Sequence, residues 1–296
     1  MLRRYHVNMR RASVLLAVLT IVSLASPSSS SASGSASGSA SARPGGHLAK
    51  ATRVALPKPV ACPGCYHPAL NTSWQWQLTG NVDTSLVVQM FDIDGFEATK
   101  ALISAIHAKP AKAVCYISAG SWENWRPDAG KFPAGVKGLS NGWPGERWLD
   151  IRKLWVLGPI MRARISMCAS KGFDAIEFDN VDGYTNKTGF PLTAAQQLRY
   201  NIFLANKAHK AGLSAVLKND LDQVKQLVRY FDFALNEQCF QYSECAKLKP
   251  FVAAGKAVFG VEYKLIRSKF CSKANSMNFN FLRKHLALGV WRRACR

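Results

Sequence analysis

Short apolar segments alternate with amphipathic helical segments along most of this chain, and this alternation restricts its possible folds more than any other feature. Helices are predicted over 98–109, 149–170, 193–211 and 222–230, and a further helix ends at residue 254. Eight strands are predicted at 74–78, 86–94, 112–118, 175–180, 214–219, 233–237, 256–263 and 278–284. Strands that alternate with helices form parallel sheets, because each helix returns the chain to the same end of the sheet. Eight such strands predict a single α/β domain, a (β/α)8 barrel of the TIM type.

An open, doubly wound α/β sheet is the alternative arrangement of the same elements. Such a sheet usually carries a glycine-rich phosphate-binding turn after an early strand. The sequence contains neither a GxGxxG motif nor a P-loop, so the barrel is the preferred prediction.

Polar residues collect where the predicted strands end. The clearest case is the segment Gly172–Tyr184, GFDAIEFDNVDGY, whose apolar part runs into Asp179, Asn180 and Asp182. A strand followed by an ordinary acidic turn would give the same local pattern. However, polar residues also lie at the ends of the other predicted strands. Because the carboxyl ends of barrel strands converge and unpaired polar groups are costly to bury, these residues predict an active site at that end.

The first residues have the features of a secretory signal. Four arginines precede an apolar run over 12–25, and small residues follow it. The run is shorter than the roughly 20 residues that a membrane span needs, although a retained signal anchor is the alternative. We predict a signal peptide at 1–33, a disordered Ser/Ala/Gly linker at 34–58 and the barrel domain at 59–296. The mature protein is therefore expected to be secreted, without membrane association once the signal is removed.

The chain is strongly basic, with a formal net charge of +21. Removing the predicted signal peptide takes away four arginines and no acidic residue, which leaves 35 basic against 18 acidic residues. Such a charge can indicate an anionic partner. The Lys and Arg residues are scattered, however, without a basic run or a zinc-finger spacing. No nucleic acid partner is predicted.

The eight cysteines all follow the predicted signal peptide, and an even number fits an oxidising compartment. The CxxC at residues 62–65 resembles a redox motif, but it precedes the first strand, so a structural bridge is preferred. Cys115 lies in a predicted strand and Cys168 in a predicted helix, where they could pair or remain buried thiols. The predicted bridges are Cys62–Cys65, Cys239–Cys245 and Cys271–Cys295.

The residue types argue against several kinds of enzyme. The histidines show no HExxH or other zinc-ligand spacing, and the nucleophile motif GxSxG is absent. Asp92-Ile93-Asp94 resembles the metal-binding DxD of some glycosyltransferases, which leaves metal-dependent sugar transfer as an alternative. An acidic pair at a barrel rim needs no metal, and two carboxylates from different strands can cleave a glycosidic bond. We therefore predict glycoside hydrolysis without a metal or another cofactor.

Eight motifs in a fixed order carry a family resemblance. They are WQWQLTG (74–80), FDIDGF (91–96), VCYISAGSWENWRPD (114–128), WPGERWLDIR (143–152), GFDAIEFDNVDGYTNKTGFPLT (172–193), LKND (217–220), NEQC (236–239) and VEY (261–263). With these motifs the chain resembles the endo-α-1,4-polygalactosaminidases of glycoside hydrolase family 114. The resemblance implies a (β/α)8 barrel that hydrolyses polymers of α-1,4-linked galactosamine or its partly acetylated form.

The resemblance also implies roles for individual residues. The family's catalytic carboxylates fall on Asp179, the expected nucleophile, and Glu237, the expected general acid/base, which together imply a retaining reaction. A non-catalytic carbohydrate-binding protein on the same barrel is the alternative. The polysaccharide is the expected partner, and a monomer is expected. Positions that match family motifs and are expected to contact substrate are Asp92, Asp94, Tyr116, Glu123, Arg126, Asn180, Asp182, Lys218, Asn219 and Glu262.

The distribution of acidic residues indicates how a basic protein could bind a cationic polymer. Seven of the 18 acidic residues are predicted rim residues, namely Asp92, Asp94, Glu123, Asp179, Asp182, Glu237 and Glu262. We therefore expect a negative cleft on a positive body, in which carboxylates neutralise ammonium groups of the substrate.

Overall fold

The computed structural model describes residues 55–296. The predicted signal peptide and residues 34–54 of the predicted linker lie outside the described residues. Within residues 55–296, no helix combines the length and the apolar character that crossing a bilayer requires.

Eight parallel strands form the predicted (β/α)8 barrel. In chain order the strands are β1 (Trp74–Gln77), β2 (Met90–Asp94), β3 (Lys112–Ser118), β4 (Ser121–Glu123), β5 (Lys137–Ser140), β6 (Glu146–Leu149), β7 (Ala175–Asp179), β8 (Ser214–Lys218), β9 (Phe233–Glu237), β10 (Val258–Glu262), β11 (Phe279–Lys284) and β12 (Arg292–Ala294). The barrel strands are hydrogen-bonded in the order β1-β2-β3-β7-β8-β9-β10-β11, so each follows its predecessor around the barrel. Strand β12 joins β11 in antiparallel orientation.

The helices return the chain between the barrel strands. They are α1 (Lys100–His107), α2 (Leu154–Lys171), α3 (Ala194–Lys210), α4 (Val224–Leu227), α5 (Lys249–Ala253) and α6 (Cys271–Ser276). Helix α3 begins with a capping box between Thr193 and Gln196, as the sequence indicates. Helix α2 ends at Gly172, whose φ of 94° favours glycine. Helix α4 is shorter than predicted, because residues 221–223 form a 3₁₀ turn before it.

Aromatic side chains fill the barrel interior at the amino-terminal ends of the strands. The ring of Trp74 lies 5.1 Å from that of Phe259, which lies 5.6 Å from that of Phe233. Tyr66 packs edge-on against Phe233 from below, at 6.3 Å. A larger apolar layer lies between the strands and the helices. Since this end of the barrel is packed with rings, a cavity for ligands is left at the opposite, carboxyl end of the strands.

The C-terminal segment closes the seam between the first and the last barrel strand. In the described sheet, β1 and β11 are not neighbours. Residues 287–290 instead hydrogen-bond to the β1 side, where the Leu288 carbonyl accepts from the Leu78 N–H at 2.9 Å and the Val290 carbonyl from Gln75 at 2.7 Å. Strand β12 then pairs with β11. The seam therefore depends on residues that follow the last predicted strand.

A small antiparallel sheet was missed by the sequence prediction, which left residues 124–145 as a long loop. Strands β4, β6 and β5 pair in that order, outside the barrel sheet. The strands are only three or four residues long and contain charged residues, so their pattern does not stand out in the sequence. This sheet forms part of one wall above the barrel.

Four disulfide bonds hold the described chain. The three predicted bridges, Cys62–Cys65, Cys239–Cys245 and Cys271–Cys295, are formed. Cys115 and Cys168 also form a disulfide bond, which joins β3 to α2. They are therefore not the buried free thiols that the sequence left as an alternative.

We predict that the Cys271–Cys295 bond stabilises the closed seam. The bond spans 24 residues, so replacing both cysteines by serine should lower the free energy of unfolding by about 3 kcal/mol. The matched control is the double serine variant of the Cys62–Cys65 pair, which closes a loop of only three residues and should cost about 2 kcal/mol or less. Urea unfolding of both variants measures the difference. Equal losses would contradict this role of the C-terminal bond.

Candidate active site

A cavity of about 520 Å³ opens at the carboxyl ends of the barrel strands. Its floor is formed by the last residues of three adjacent strands, Asp179 of β7, Lys218 of β8 and Glu237 of β9. Its walls come from the small antiparallel sheet on one side and from residues 286–288 of the C-terminal segment on the other. The cavity thus depends on both features that the sequence prediction missed.

The ammonium group of Lys218 connects the acidic groups of the floor. Its Nζ lies 3.0 Å from Asp179 Oδ1, 3.3 Å from Glu237 Oε2 and 3.1 Å from Glu177 Oε1. It also lies 4.6 Å from the centre of the Trp76 ring, which favours a cation at this place. Burial alone would lower the pKa of Lys218, but the charges of Asp179, Glu237 and Glu177 outweigh it and raise the pKa well above its usual value. Lys218 is therefore a permanent cation.

Asp179 is held in its ionised form. Its Oδ2 accepts a hydrogen bond from the hydroxyl of Tyr116 at 2.7 Å, while Oδ1 contacts Lys218. Burial tends to raise the pKa of Asp179, but the charge of Lys218 and these hydrogen bonds outweigh burial, and the pKa is lowered. A buried carboxylate that stays ionised is suited to act as a nucleophile.

Glu237 is held from the opposite side of Lys218. Its Oε1 accepts a hydrogen bond from the hydroxyl of Tyr263, and its backbone N–H donates to the side chain of Asn219 at 3.0 Å. The second oxygen, Oε2, contacts Lys218. Tyr263 was not predicted as a site residue. Its neighbour Glu262 was predicted instead, because it matches a position of the family motif VEY.

Left-handed residues aim these side chains into the cavity. The residues that directly follow β7, β8 and β9 have positive φ angles, 60° at Asn180, 50° at Asn219 and 62° at Gln238. Such angles are uncommon outside glycine and cluster at functional sites. They end the extended strand conformation directly after Asp179, Lys218 and Glu237, which line the cavity floor. Asn180 and Asn219 in addition line the cavity.

A buried arginine organises the wall next to the small sheet. The guanidinium of Arg126 forms two parallel hydrogen bonds with Asp94, at 2.9 and 2.7 Å, and an ion pair with Glu123 at 2.7 Å. Burial raises the pKa of Glu123 despite this pairing. Asp94 also accepts from the backbone N–H groups of Phe96 and Glu97. These groups are already paired with one another, so they shape the wall more than they offer free charges.

The two acidic residues of the DxD pattern occupy different surroundings. Asp92 is fully buried in the barrel below the cavity. Burial and the charge of Glu177 raise the pKa of Asp92 well above its usual value. Asp94 is paired with Arg126. Among residues 55–296, no group of three or more His, Cys, Asp or Glu side chains is arranged to hold a metal ion.

Ten of the twelve predicted site residues line the cavity, and two do not. Asp92 lies below it, and Glu262 is buried behind it, where its Oε1 accepts from the backbone N–H of Phe240 at 2.8 Å. Glu262 thus holds the loop that follows β9. The ten residues at the cavity are Asp94, Tyr116, Glu123, Arg126, Asp179, Asn180, Asp182, Lys218, Asn219 and Glu237.

The structure adds cavity residues that were not predicted. Trp125 and Trp143 lie on the wall of the cavity with about half of their surface exposed, 51% and 52%. Glu146 faces the same space and accepts hydrogen bonds from Ser121 and Asn141, at 2.7 and 2.6 Å. These residues belong to motifs recorded from the sequence, but only the fold of the small sheet brings them to the cavity.

Exposed aromatic rings beside paired carboxylates at the carboxyl end of a barrel are the features of a glycoside hydrolase site. The comparison with known families agrees with this class. The model of glycoside-hydrolase family GH114 matches residues 56–296, and the chain belongs to this family.

Two solved structures show the same fold. One is the Ega3 protein of Aspergillus fumigatus in complex with galactosamine, with 36% identity, a TM-score of 0.76, and coverage of 81% of this chain and 100% of that one. The other is the glycoside hydrolase domain of PelA from Pseudomonas aeruginosa, with 11% identity, a TM-score of 0.60, and coverage of 75% and 98%. At this identity, the PelA likeness concerns the fold alone. No curated protein sequence gives a significant match.

We predict that Lys218→Met destabilises the protein and abolishes activity. The methionine fills the position but leaves three carboxylates without their positive partner, which should lower the free energy of unfolding by roughly 3–5 kcal/mol. The matched control is Lys225→Met, on the exposed face of α4, which should change the stability little. Denaturant unfolding compares the two variants. Equal stability of both would contradict a structural role for the Lys218 charge.

Tyr116→Phe should shift the pH dependence of activity. The variant loses the hydrogen bond that favours ionised Asp179, so the pKa of Asp179 rises and the acid limb of kcat/KM moves to higher pH, by about one unit. Tyr230→Phe is the control, because it removes a buried tyrosine hydroxyl that bonds to the Pro57 carbonyl instead. An unchanged acid limb in Tyr116→Phe would show that Asp179 does not set it.

Proposed function

We propose that this protein is a retaining glycoside hydrolase that cleaves α-1,4-linked galactosamine-containing polysaccharide. Asp179 is the proposed nucleophile and Glu237 the proposed general acid/base. The observation that carries the proposal is the position of Lys218, whose single Nζ contacts both carboxylates.

The shared contact with Lys218 supports the retaining mechanism. The Nζ lies 3.0 Å from an oxygen of Asp179 and 3.3 Å from an oxygen of Glu237, so these oxygens are no farther apart than the sum of the two distances. That sum is below the roughly 6.5 Å at which inverting enzymes begin to accommodate a water molecule between their carboxyl groups. Direct attack by a carboxylate suits the shorter distance.

The lowered pKa of Asp179 supports its role as the nucleophile. In the first step, an oxygen of Asp179 bonds to the anomeric carbon while protonated Glu237 gives its proton to the departing glycosidic oxygen. In the second step, Glu237 takes a proton from water, whose oxygen displaces Asp179 and releases the sugar. Lys218 and Tyr116 keep Asp179 ionised for the first step. Tyr263 holds the Glu237 carboxyl in place.

The acidic lining supports an amino-sugar substrate. Although the whole chain is basic, the carboxyl groups of Glu146, Asp179, Asp182 and Glu237 face one cavity. Burial and the charge of Asp179 raise the pKa of Asp182 to about 6, as expected where negative charges are crowded. An ammonium group would relieve this crowding. The Ega3 protein, 36% identical, has been solved with galactosamine.

We further propose that the protein is secreted and monomeric, with a signal peptide at 1–33, a linker at 34–58 and the hydrolase domain at 59–296. Four disulfide bonds in the described chain support an oxidising compartment. The polysaccharide is the proposed partner.

The proposal is tested by reducing-end release from partly deacetylated α-1,4-galactosamine polymer. The wild type should release reducing ends, while Asp179→Asn and Glu237→Gln should each lose at least about 100-fold in rate. Glu97→Gln, an exposed residue outside the cavity, is the matched control and should keep full activity.

Two further readouts separate the alternatives. NMR of the first product should show the α-anomer, and a first-formed β-anomer would contradict the retaining mechanism. Calorimetry of Asp179→Asn should show that the variant still binds the polymer. Binding by the wild type without any release of reducing ends would instead identify a non-catalytic carbohydrate-binding protein.

A further inference from the structure

A second acidic pocket of about 400 Å³ lies beside the catalytic cavity. The two spaces share Asp182, Asn219 and Glu237 as lining residues, so the pocket continues the cavity past the proposed general acid/base. Most of its other residues come from the segments that follow β7, β8 and β9, and they include Tyr184, Asp220 and Tyr242. Asp220, Asp222 and Tyr242 were not among the predicted site residues.

The pocket holds more negative than positive groups. Five carboxyl groups line it, and the only basic side chain among its lining residues is Lys247. Lys247 is paired with Asp222 at 2.7 Å and lies 3.6 Å from Glu244, both at the outer rim. Within residues 55–296, no ion pair is formed by Asp182 or Asp220. The inner part of the pocket therefore has carboxyl groups without counter-ions.

Asp220 is the most informative of these groups. Its side chain lines the pocket although the residue is 97% buried, with 3% of its surface exposed. Asn201 donates to Oδ2 at 2.7 Å, and the hydroxyl of Tyr184 also interacts with this carboxyl group. Oδ1 has no partner within hydrogen-bond distance. Burial and the charge of Asp182 raise the pKa of Asp220 to about 8. A cation in the pocket would supply both the missing partner for Oδ1 and the missing charge.

An aromatic ring completes the chemistry of the pocket. Tyr242 lies at its edge with 61% of its surface exposed, where its ring can cover the face of a sugar. An amino sugar offers an ammonium group and an apolar ring face to a protein. The carboxyl groups of the pocket can bind the first, and the ring of Tyr242 can pack against the second.

We propose that this pocket is a separate subsite for an amino-sugar unit with a free ammonium group, located beyond the bond that is cleaved. Asp182 and Asp220 bind the ammonium group, and Tyr242 contacts the sugar ring. The subsite rests on the proposed function, because it takes a unit of the same polysaccharide chain. It makes Asp220 a residue that determines specificity for deacetylated units, since an N-acetyl group carries no charge.

The test measures binding independently of catalysis. Fully deacetylated α-1,4-galactosamine oligomers of increasing length are titrated calorimetrically into Asp179→Asn and into the double variant Asp179→Asn/Asp220→Asn. The additional substitution should weaken binding of the longer oligomers about tenfold and leave the shortest unchanged, because only the longer ones reach the pocket. N-acetylated oligomers should show no difference at any length. Asp179→Asn/Glu97→Gln controls for the loss of one surface charge.

Turnover and folding are measured by comparing the wild type with the single variant Asp220→Asn. In the otherwise wild-type protein, Asp220→Asn should raise KM for long deacetylated oligomers and leave kcat unchanged within about twofold. If Asp220→Asn fails to fold, as thermal unfolding would show, Glu244→Gln at the rim replaces it, with a smaller expected increase in KM. Equal weakening at every length, or no weakening at any length, would overturn the subsite.

The subsite and the proposed function can fail separately. Length-dependent binding without hydrolysis by the wild type would keep the subsite and overturn the hydrolase proposal. Hydrolysis with no effect of Asp220→Asn and Glu244→Gln would keep the hydrolase and overturn the subsite.

Discussion

The site depends on one buried cation. The Lys218 ammonium lies within 3.3 Å of oxygens from Asp179, Glu237 and Glu177, and without it three carboxylates would repel one another at the floor of the cavity. Its charge keeps Asp179 ionised and sets the separation of the two proposed catalytic groups. Because Lys218 is the last residue of β8, the barrel register fixes its position between β7 and β9. The position of this charge therefore depends on the register of the barrel strands.

Much of the barrel could be predicted, because its strands are apolar and are separated by helices with clear boundary signals. Strands β3 and β9 have the predicted bounds, and α3 begins at its predicted cap, Thr193. The small antiparallel sheet could not be predicted, since its short strands are stabilised by pairing across a Gly-rich loop. The closure of the seam by residues 287–294 was also missed, because it depends on long-range hydrogen bonds to β1 rather than on a local pattern.

Most of the predicted site residues lie close together in the fold. Strand ends converge in any barrel, so the polar residues there could be grouped from the sequence, and ten of twelve line one cavity. Alternation along a strand does not show how deep a side chain lies, which is why Asp92 and Glu262 were grouped with the rim although both are buried away from the cavity. Tyr263 ends the predicted strand 256–263 but was not among the predicted site residues, although its hydroxyl reaches Glu237 from one residue beyond β10.

The most direct test of this account is the charge of Lys218 in solution. Nitrogen NMR of ¹⁵N-lysine-labelled protein, with the signal assigned through Lys218→Arg, follows the protonation of Nζ as the pH is raised. The account predicts that Lys218 remains an ammonium group after exposed lysines have lost their protons near their usual pKa of about 10.4. Loss of its proton near neutral pH would contradict the account, because a neutral amine could neither pair with both carboxylates nor keep Asp179 ionised.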